Sequence, residues 1–188
     1  MNPPSFFPGT RVPFSQEGLF QGIFAVTNGI TLSQICDITG LEPAAVQNWI
    51  KRGYVNPPVN RKYAKGQVAR IILIHMLREA LPIERVAKLL SYVNGNLLDR
   101  SDDIMDDSDI YDCLCRVLTE ADQKPGHGKF DISIDLSDYF NKIDKQLEDF
   151  KEPYPGAGER LKLALKAMVC AYQAARFKRY ASQLTEGI

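Results

Sequence analysis

Apolar residues recur at helical spacing along most of this chain, and the breaks between the runs fall at proline and glycine. Thr31 is suited to cap a short helix whose stripe is Leu32, Ile35, Cys36 and Ile38, ending at Thr39-Gly40. Pro43 fits the first position of a second helix, where its missing N–H costs nothing, and that helix runs to about Arg52 and stops at Gly53. Val46, Trp49 and Ile50 face inward there, which leaves Ala44, Ala45, Gln47, Asn48 and Lys51 on the outside. Pro57 and Pro58 forbid helix in the next stretch, so residues 54–63 are expected to form a short hairpin or wing. Helical spacing returns over 65–80, and Pro82 opens another helix with the stripe Ile83, Val86, Leu89, Leu90 and Val93, stopping at Asn94-Gly95.

Beyond that point the pattern predicts an acidic loop from Asp99 to Asp109, then helices over about 110–120 and 136–150. A last long helix covers about 159–184, with Leu161, Leu165, Met168, Tyr172 and Ala175 in line; at 1.5 Å per residue it spans roughly 40 Å. Residues 130–136 alternate like a strand without an obvious partner. The N-terminal residues 1 to about 16, rich in proline, read as an extended arm, and the apolar patch Leu19, Phe20, Ile23, Phe24 and Val26 as a short helix. The fold class is therefore mainly all-α, in three parts: an arm and short helix over 1–29, a small winged unit over 30–95 and a helical C-terminal region over 96–188.

Composition alters this picture in one respect. The 188-residue chain has 23 basic and 23 acidic residues and no net charge, yet the signs are segregated. Between Gln47 and Lys88 there are nine Lys/Arg and two Asp/Glu; between Asp99 and Asp122, nine acids and two bases; between Glu159 and Arg179, six bases and one acid. A neutral total thus conceals a basic face of the kind a polyanion meets. No apolar run is long enough to span a bilayer, and the N-terminus lacks the basic start and apolar core of a signal peptide, so a cytoplasmic protein is expected, with no membrane partner. The four cysteines, Cys36, Cys113, Cys115 and Cys170, form neither a disulfide framework nor a CxxC pair; reduced and mostly buried thiols are expected, with a regulatory thiol at Cys113 or Cys115 as the alternative.

The chemistry concentrates in the winged unit. A helix that enters a major groove needs small side chains for close approach and amides that can read adenine, which Ala44, Gln47 and Asn48 supply. Lys51 and Arg52 make its C-terminal end basic, and the wing adds Arg61, Lys62 and Tyr63, whose charges and phenol suit phosphate oxygens. Trp49 belongs to the small core.

Together, residues 32–40, Pro43 to Gly53, Asn56-Pro57, Arg61 to Tyr63 and Ala80 to Leu90 resemble the N-terminal domain of MerR-type regulators, with its helix-turn-helix, basic-Gly end of the recognition helix, Arg-x-Tyr wing and following helix. More closely, the phrases LSQICDITGLEP, VQNWIKRG, RKYAKGQVARI and LLSYVNG resemble a bacterial family known as a domain of unknown function. The MerR resemblance implies double-stranded DNA as partner, phosphate contacts from Arg61 and Tyr63, a basic pair at Lys51 and Arg52, and a homodimer joined by a long C-terminal helix. The chain departs from that pattern at Gln47, Asn48 and Ile50, where the family usually carries Arg, an aromatic and Glu.

Other chemistry is not encoded. Counted from Asp99, an EF-hand would need Gly at the sixth position and Glu at the twelfth; Ile104 and Ile110 stand there. His75 and His127 are the only histidines, and no zinc spacing, P-loop, dinucleotide fingerprint or nucleophile elbow is present. No catalytic group, metal or cofactor is expected. The leading expectation is a DNA-binding transcriptional regulator with a possible small-molecule effector. The alternatives are an interaction module whose basic face is covered by the acidic segment, and a sensor with an apolar pocket lined by Phe130, Tyr139, Phe140, Phe150 or Tyr172.

Overall fold

The computed structural model describes residues 6–15, 18–97, 99–122 and 135–186, the side chains of 120–122 excepted. Among these the regular structure is helical: α1 (Leu19–Phe24), α2 (Leu32–Thr39), α3 (Pro43–Lys51), α4 (Lys65–Leu77), α5 (Ile83–Asn94), α6 (Asp107–Asp122), α7 (Leu136–Gln146) and α8 (Ala157–Thr185). Extended pairing among them is limited to isolated bridges, Phe6 with Pro13, Ile30 with Tyr63 and Val59 with Lys62. The expected strand over 130–136 lies outside the described residues except at its end, where Asp135 caps α7 through the Ser137 N–H at 2.9 Å and Leu136 is already helical.

The helix boundaries follow local chemistry. Thr31 and Gln34 form a reciprocal capping box at the start of α2, and Gly40, with φ 75°, ends it in the left-handed conformation that glycine adopts without steric penalty. Gly53 ends α3 with φ 73°; its N–H donates to the Ile50 carbonyl and the Tyr54 N–H to the Trp49 carbonyl, the paired bonds of a Schellman turn.

α4 is the centre of the molecule. Val68, Ala69, Ile71, Ile72, Leu73, Ile74 and Leu77 are all shielded from solvent, so apolar side chains leave this helix in every direction and nearly all of its length beyond Gln67 is buried. It packs against α6, α5, α8 and α2, while α7 closes on α6 and α8. Fully burying one such aliphatic side chain stabilises the fold by about 1.5–3 kcal/mol, which makes α4 its densest source of stability. The core is continuous from Phe7 in the arm to Ala171 in α8.

The described part of the arm is more firmly placed than its prolines suggest. Phe7 is buried, the Phe7 N–H donates to the Val12 carbonyl at 2.9 Å, and the Arg11 N–H donates to the Ile38 carbonyl at 2.7 Å. The buried Tyr111 hydroxyl of α6 donates to the Pro8 carbonyl at 2.7 Å, so the arm is tied to the C-terminal half.

His75 on α4 is half-buried, and its Nδ1 has no hydrogen-bond partner among the described residues. Burial pulls its pKa below the ordinary 6.5, with Arg78 and Arg11 acting in the same direction against Glu79. On acidification the unfolded chain therefore takes up this proton first. The contribution is complete above pH 6.5 and is lost as the pH falls below that value. In His75→Leu, the decline in urea midpoint between pH 7.5 and 5.5 should be shallower than in the parent; an unchanged slope would show that His75 titrates alike in both states.

Candidate nucleic-acid interface

α2 and α3 are two short helices joined through a turn at Gly40, with Ile35, Leu41, Val46 and Trp49 buried in the core that they share with α4. Trp49 is 2% exposed, and the Arg78 guanidinium lies 5.3 Å from its ring centroid. α3 consequently turns Ala44, Gln47, Asn48 and Lys51 to solvent. The structure brings these four onto one face, as their spacing predicts.

The wing is a two-residue hairpin. The Val59 N–H donates to the Lys62 carbonyl at 3.0 Å and the Lys62 N–H to the Val59 carbonyl at 2.9 Å. Asn60 and Arg61 at its tip have φ of 50° and 61°, the two left-handed residues of a type I′ turn. Asn tolerates that region; Arg rarely occupies it. The next pair anchors the wing to the domain, with Ile30 and Tyr63 exchanging N–H···O=C bonds of 3.1 and 2.8 Å. Gln67 holds the intervening loop: its amide donates to the Asn56 and Pro57 carbonyls at 3.0 and 2.9 Å.

Two expected contacts are placed otherwise. Tyr63 is 3% exposed, its ring in the core beneath the wing, and burial raises its pKa above the ordinary phenol range. Its anchoring role is structural because the strand pairing that fixes the wing turns its side chain inward. Arg52 is turned onto Glu84 at the start of α5, with Nη2 to Oε1 at 2.6 Å, and lies 4.9 Å from the Tyr54 ring centroid. It ties the end of α3 to α5.

The acidic segment engages a different set of cations. Asp107 Oδ2 accepts from Arg70 Nη1 at 3.0 Å, and Asp107 Oδ1 accepts from the Asn94 amide at 3.0 Å. Arg70 Nε donates to the Tyr54 carbonyl at 2.7 Å. Both charged side chains are nearly sealed, at 3% and 12% exposure. Burial pushes the Asp107 carboxyl up while Arg70 draws it down, the net direction being up. Since both neighbours donate, the carboxylate is the form this site accommodates. Farther out, Asp109 lies 3.9 Å from Lys65 and Asp106 lies 3.4 Å from Arg100. Among the described residues no carboxylate lies within ion-pair distance of Lys51, Arg61 or Lys62, and all three are exposed.

The remaining candidates divide similarly. Cys113 and Cys115 are buried in α6, and burial pushes their pKa up to about 11 and about 12, so both stay protonated and unreactive at neutral pH. This speaks against the regulatory-thiol alternative at those positions; Cys36 is half-buried and Cys170 exposed. Of the aromatics expected to line a sensor pocket, Tyr139 is packed in the core and Phe130 lies outside the described residues. Two surface clefts have room for a small molecule: about 430 Å³ beside Phe14, Phe20, Lys65 and Arg116, and about 390 Å³ beside His75, Tyr172 and Arg179. Among the described residues no group of His, Cys, Asp or Glu is arranged to hold a metal ion, and no helix is long and apolar enough to cross a membrane.

Residues 22–114, the span holding α2 to α5 and half of α6, match the family described as a domain of unknown function (DUF1836). An uncharacterized protein of Bacillus subtilis (strain 168), YkrK, is 27% identical over 93 residues, which cover 47% of this chain and 40% of that protein. The chain thus spans less than half the length of the curated relative it matches. No solved structure matches it.

Proposed function

We propose that this protein is a DNA-binding transcriptional regulator, cytoplasmic and without catalytic activity, in which α3 enters the major groove and the wing grips the adjacent backbone. The observation that carries this reading is the separation of charges: Lys51 on α3 and Arg61 and Lys62 on the wing stand exposed with no ion-pair partner among the described residues, while Asp106, Asp107 and Asp109 are committed elsewhere. An interaction module would instead have its acidic segment over that face. The arrangement of α2, α3, wing and α5 also suits the MerR-type plan that the sequence resembles. Within it, Lys51, Arg61 and Lys62 supply phosphate contacts, and Ala44, Gln47 and Asn48 face the base edges.

The test is retention of genomic fragments by the purified protein at two salt concentrations, with sequencing of what is kept. An enriched inverted repeat weakened by salt supports the reading, and absence of any retention at low salt sinks it. On an operator so found, Gln47→Ala or Asn48→Ala should relax preference at one base pair by about 1–3 kcal/mol. Equal losses on all sequences would place that residue on the backbone instead.

A further inference from the structure

The cleft of about 390 Å³ lies where the arm, the end of α2, α4 and α8 come together, and it has room for a ring system with a side chain. Its first wall is the arm turn from Phe6 to Thr10, which the fold itself holds in place. Gly9 lies so close to α4 that a β-carbon there would sit 3.1 Å from Ile72 Cγ2. The Tyr111 hydroxyl and the Ile38 carbonyl bind the turn from either side of that contact, through Pro8 and Arg11. Phe6, Phe7 and Pro8 of this wall, with Met76 of α4 and Tyr172 of α8, give the cleft an apolar lining. Phe6 is 51% exposed, so a large ring is left partly uncovered beside it. The polar groups of the lining are fewer. His75 Nδ1 is shut off from solvent and has no hydrogen-bond partner among the described residues, an exception to the general satisfaction of buried polar atoms. Arg179 meets Glu79 through Nη1, which engages only part of a guanidinium fork with five N–H donors. Arg11 and Arg78 are near enough to act against a proton on His75. Three guanidinium groups thus bear on the cleft against the carboxylate of Glu79, and the local potential is positive.

We infer that this cleft binds a small aromatic carboxylate, its ring against the arm and Tyr172 and its carboxylate shared by His75 Nδ1–H and the unengaged N–H groups of Arg179. Each part of that ligand answers an observation. The rings of Phe6, Phe7 and Tyr172 suit an aromatic body, for which tilted and offset ring contacts are favourable. A purely apolar guest would seal His75 Nδ1 in without a partner and keep the cost of a buried, unbonded polar group. A carboxylate removes that cost and gains charge-assisted hydrogen bonds from the guanidinium. A phosphate or nucleotide fits less well. Of the three arginines only Arg179 lines the cleft, so one negative charge is matched, and the rest of the wall offers rings rather than further donors. The inference is independent of DNA binding and is tested without DNA.

The full chain, isotope-labelled at histidine, is titrated with benzoate, phenylacetate and indoleacetate while its imidazole signals are followed by nuclear magnetic resonance. The signal of His75 is the one lost in His75→Leu. At least one of the three carboxylates should move that signal saturably at submillimolar concentration. The matching uncharged amide should bind about tenfold to a hundredfold more weakly, the range expected for hydrogen bonds to a charged group. Arg179→Gln should weaken the carboxylate by a similar factor with unchanged helical circular dichroism, because this side chain is half-exposed and its loss spares the core. By calorimetry, His75→Asn, which keeps an N–H near the place of Nδ1, should bind more tightly than His75→Leu. A His75 signal that none of the three carboxylates moves at millimolar concentration overturns the proposal. So does an amide that binds as tightly as its acid, or an Arg179→Gln variant that binds as the parent does. Equal affinities in His75→Asn and His75→Leu would refute the site as drawn.

Discussion

Replacing Asp107 by alanine is expected to destabilise the protein by about 3–5 kcal/mol, the cost typical of leaving a buried charge unpaired. The reason is Arg70. Its side chain is 3% exposed, held by Asp107 and by the Tyr54 carbonyl, and without the carboxylate its guanidinium keeps a full charge in a sealed site. Asn94 loses an acceptor at the same time. Urea denaturation measures the loss, and Asp109→Ala is the control: its ion pair with Lys65 is solvent-exposed and long, so its removal should shift stability by less than about 1 kcal/mol. Equal costs for the two variants would deny the clamp its role. The double change Arg70→Met with Asp107→Leu should recover much of the loss, since an apolar pair of similar volume often replaces a buried ion pair without penalty.

The second large effect is on binding. Removing Lys51, Arg61 and Lys62 together should weaken DNA binding about a hundredfold at 0.15 M salt for each copy engaged, given a slope of about 0.9 per neutralised phosphate. The same variant should flatten the plot of log affinity against log salt by about three contacts for each copy engaged. Fluorescence anisotropy with labelled duplex, titrated at several salt concentrations, gives both quantities. A weaker affinity with an unchanged slope would show that these cations do not lie on the backbone. Arg61→Gly separates binding from folding. It removes one charge and also relieves a left-handed backbone at φ 61°, so it should raise stability, by up to about 1 kcal/mol, while lowering affinity. A loss of both would mean that the arginine supports the wing rather than the partner.

Much of the helical scaffold was legible because each boundary has a local cause. Thr31, Gly40, Pro43 and Gly53 mark α2 and α3 in the sequence as they do in the fold, and the inward face of α3 follows from its period. What escaped the reading depends on contacts distant in sequence. Tyr63 and Arg61 are two residues apart in a hairpin, so both project to the same face by period alone; the left-handed turn at Asn60-Arg61 breaks that expectation, sending the ring into the core and leaving the guanidinium outside. Arg52 meets Glu84 across a span of 32 residues and Arg70 meets Asp107 across 37, pairings that no periodicity announces. Arg70 did carry a signal, as the one permanently charged residue inside the run from Val68 to Leu77. A cation there is affordable only beside an anion, and the nearby acidic segment was the place to seek it. The exposed Leu163, Phe177 and Leu184 of α8 escaped because the buried stripe already accounted for the helix.

α4 belongs equally to both halves of the molecule. Its sides are claimed by α2 and α5 on the winged side and by α6 and α8 on the other, and the same helix begins where the wing ends. The winged unit is therefore not a cartridge that can be lifted out and set on another body. A cut after Gly95 would strip solvent protection from Ile71 to Leu77 and leave the element that seats the wing without half of its walls. In a molecule built this way inheritance is indivisible. The helices of the winged unit and those of the C-terminal region share one mandrel, and a change accepted by one group must be accommodated by the other.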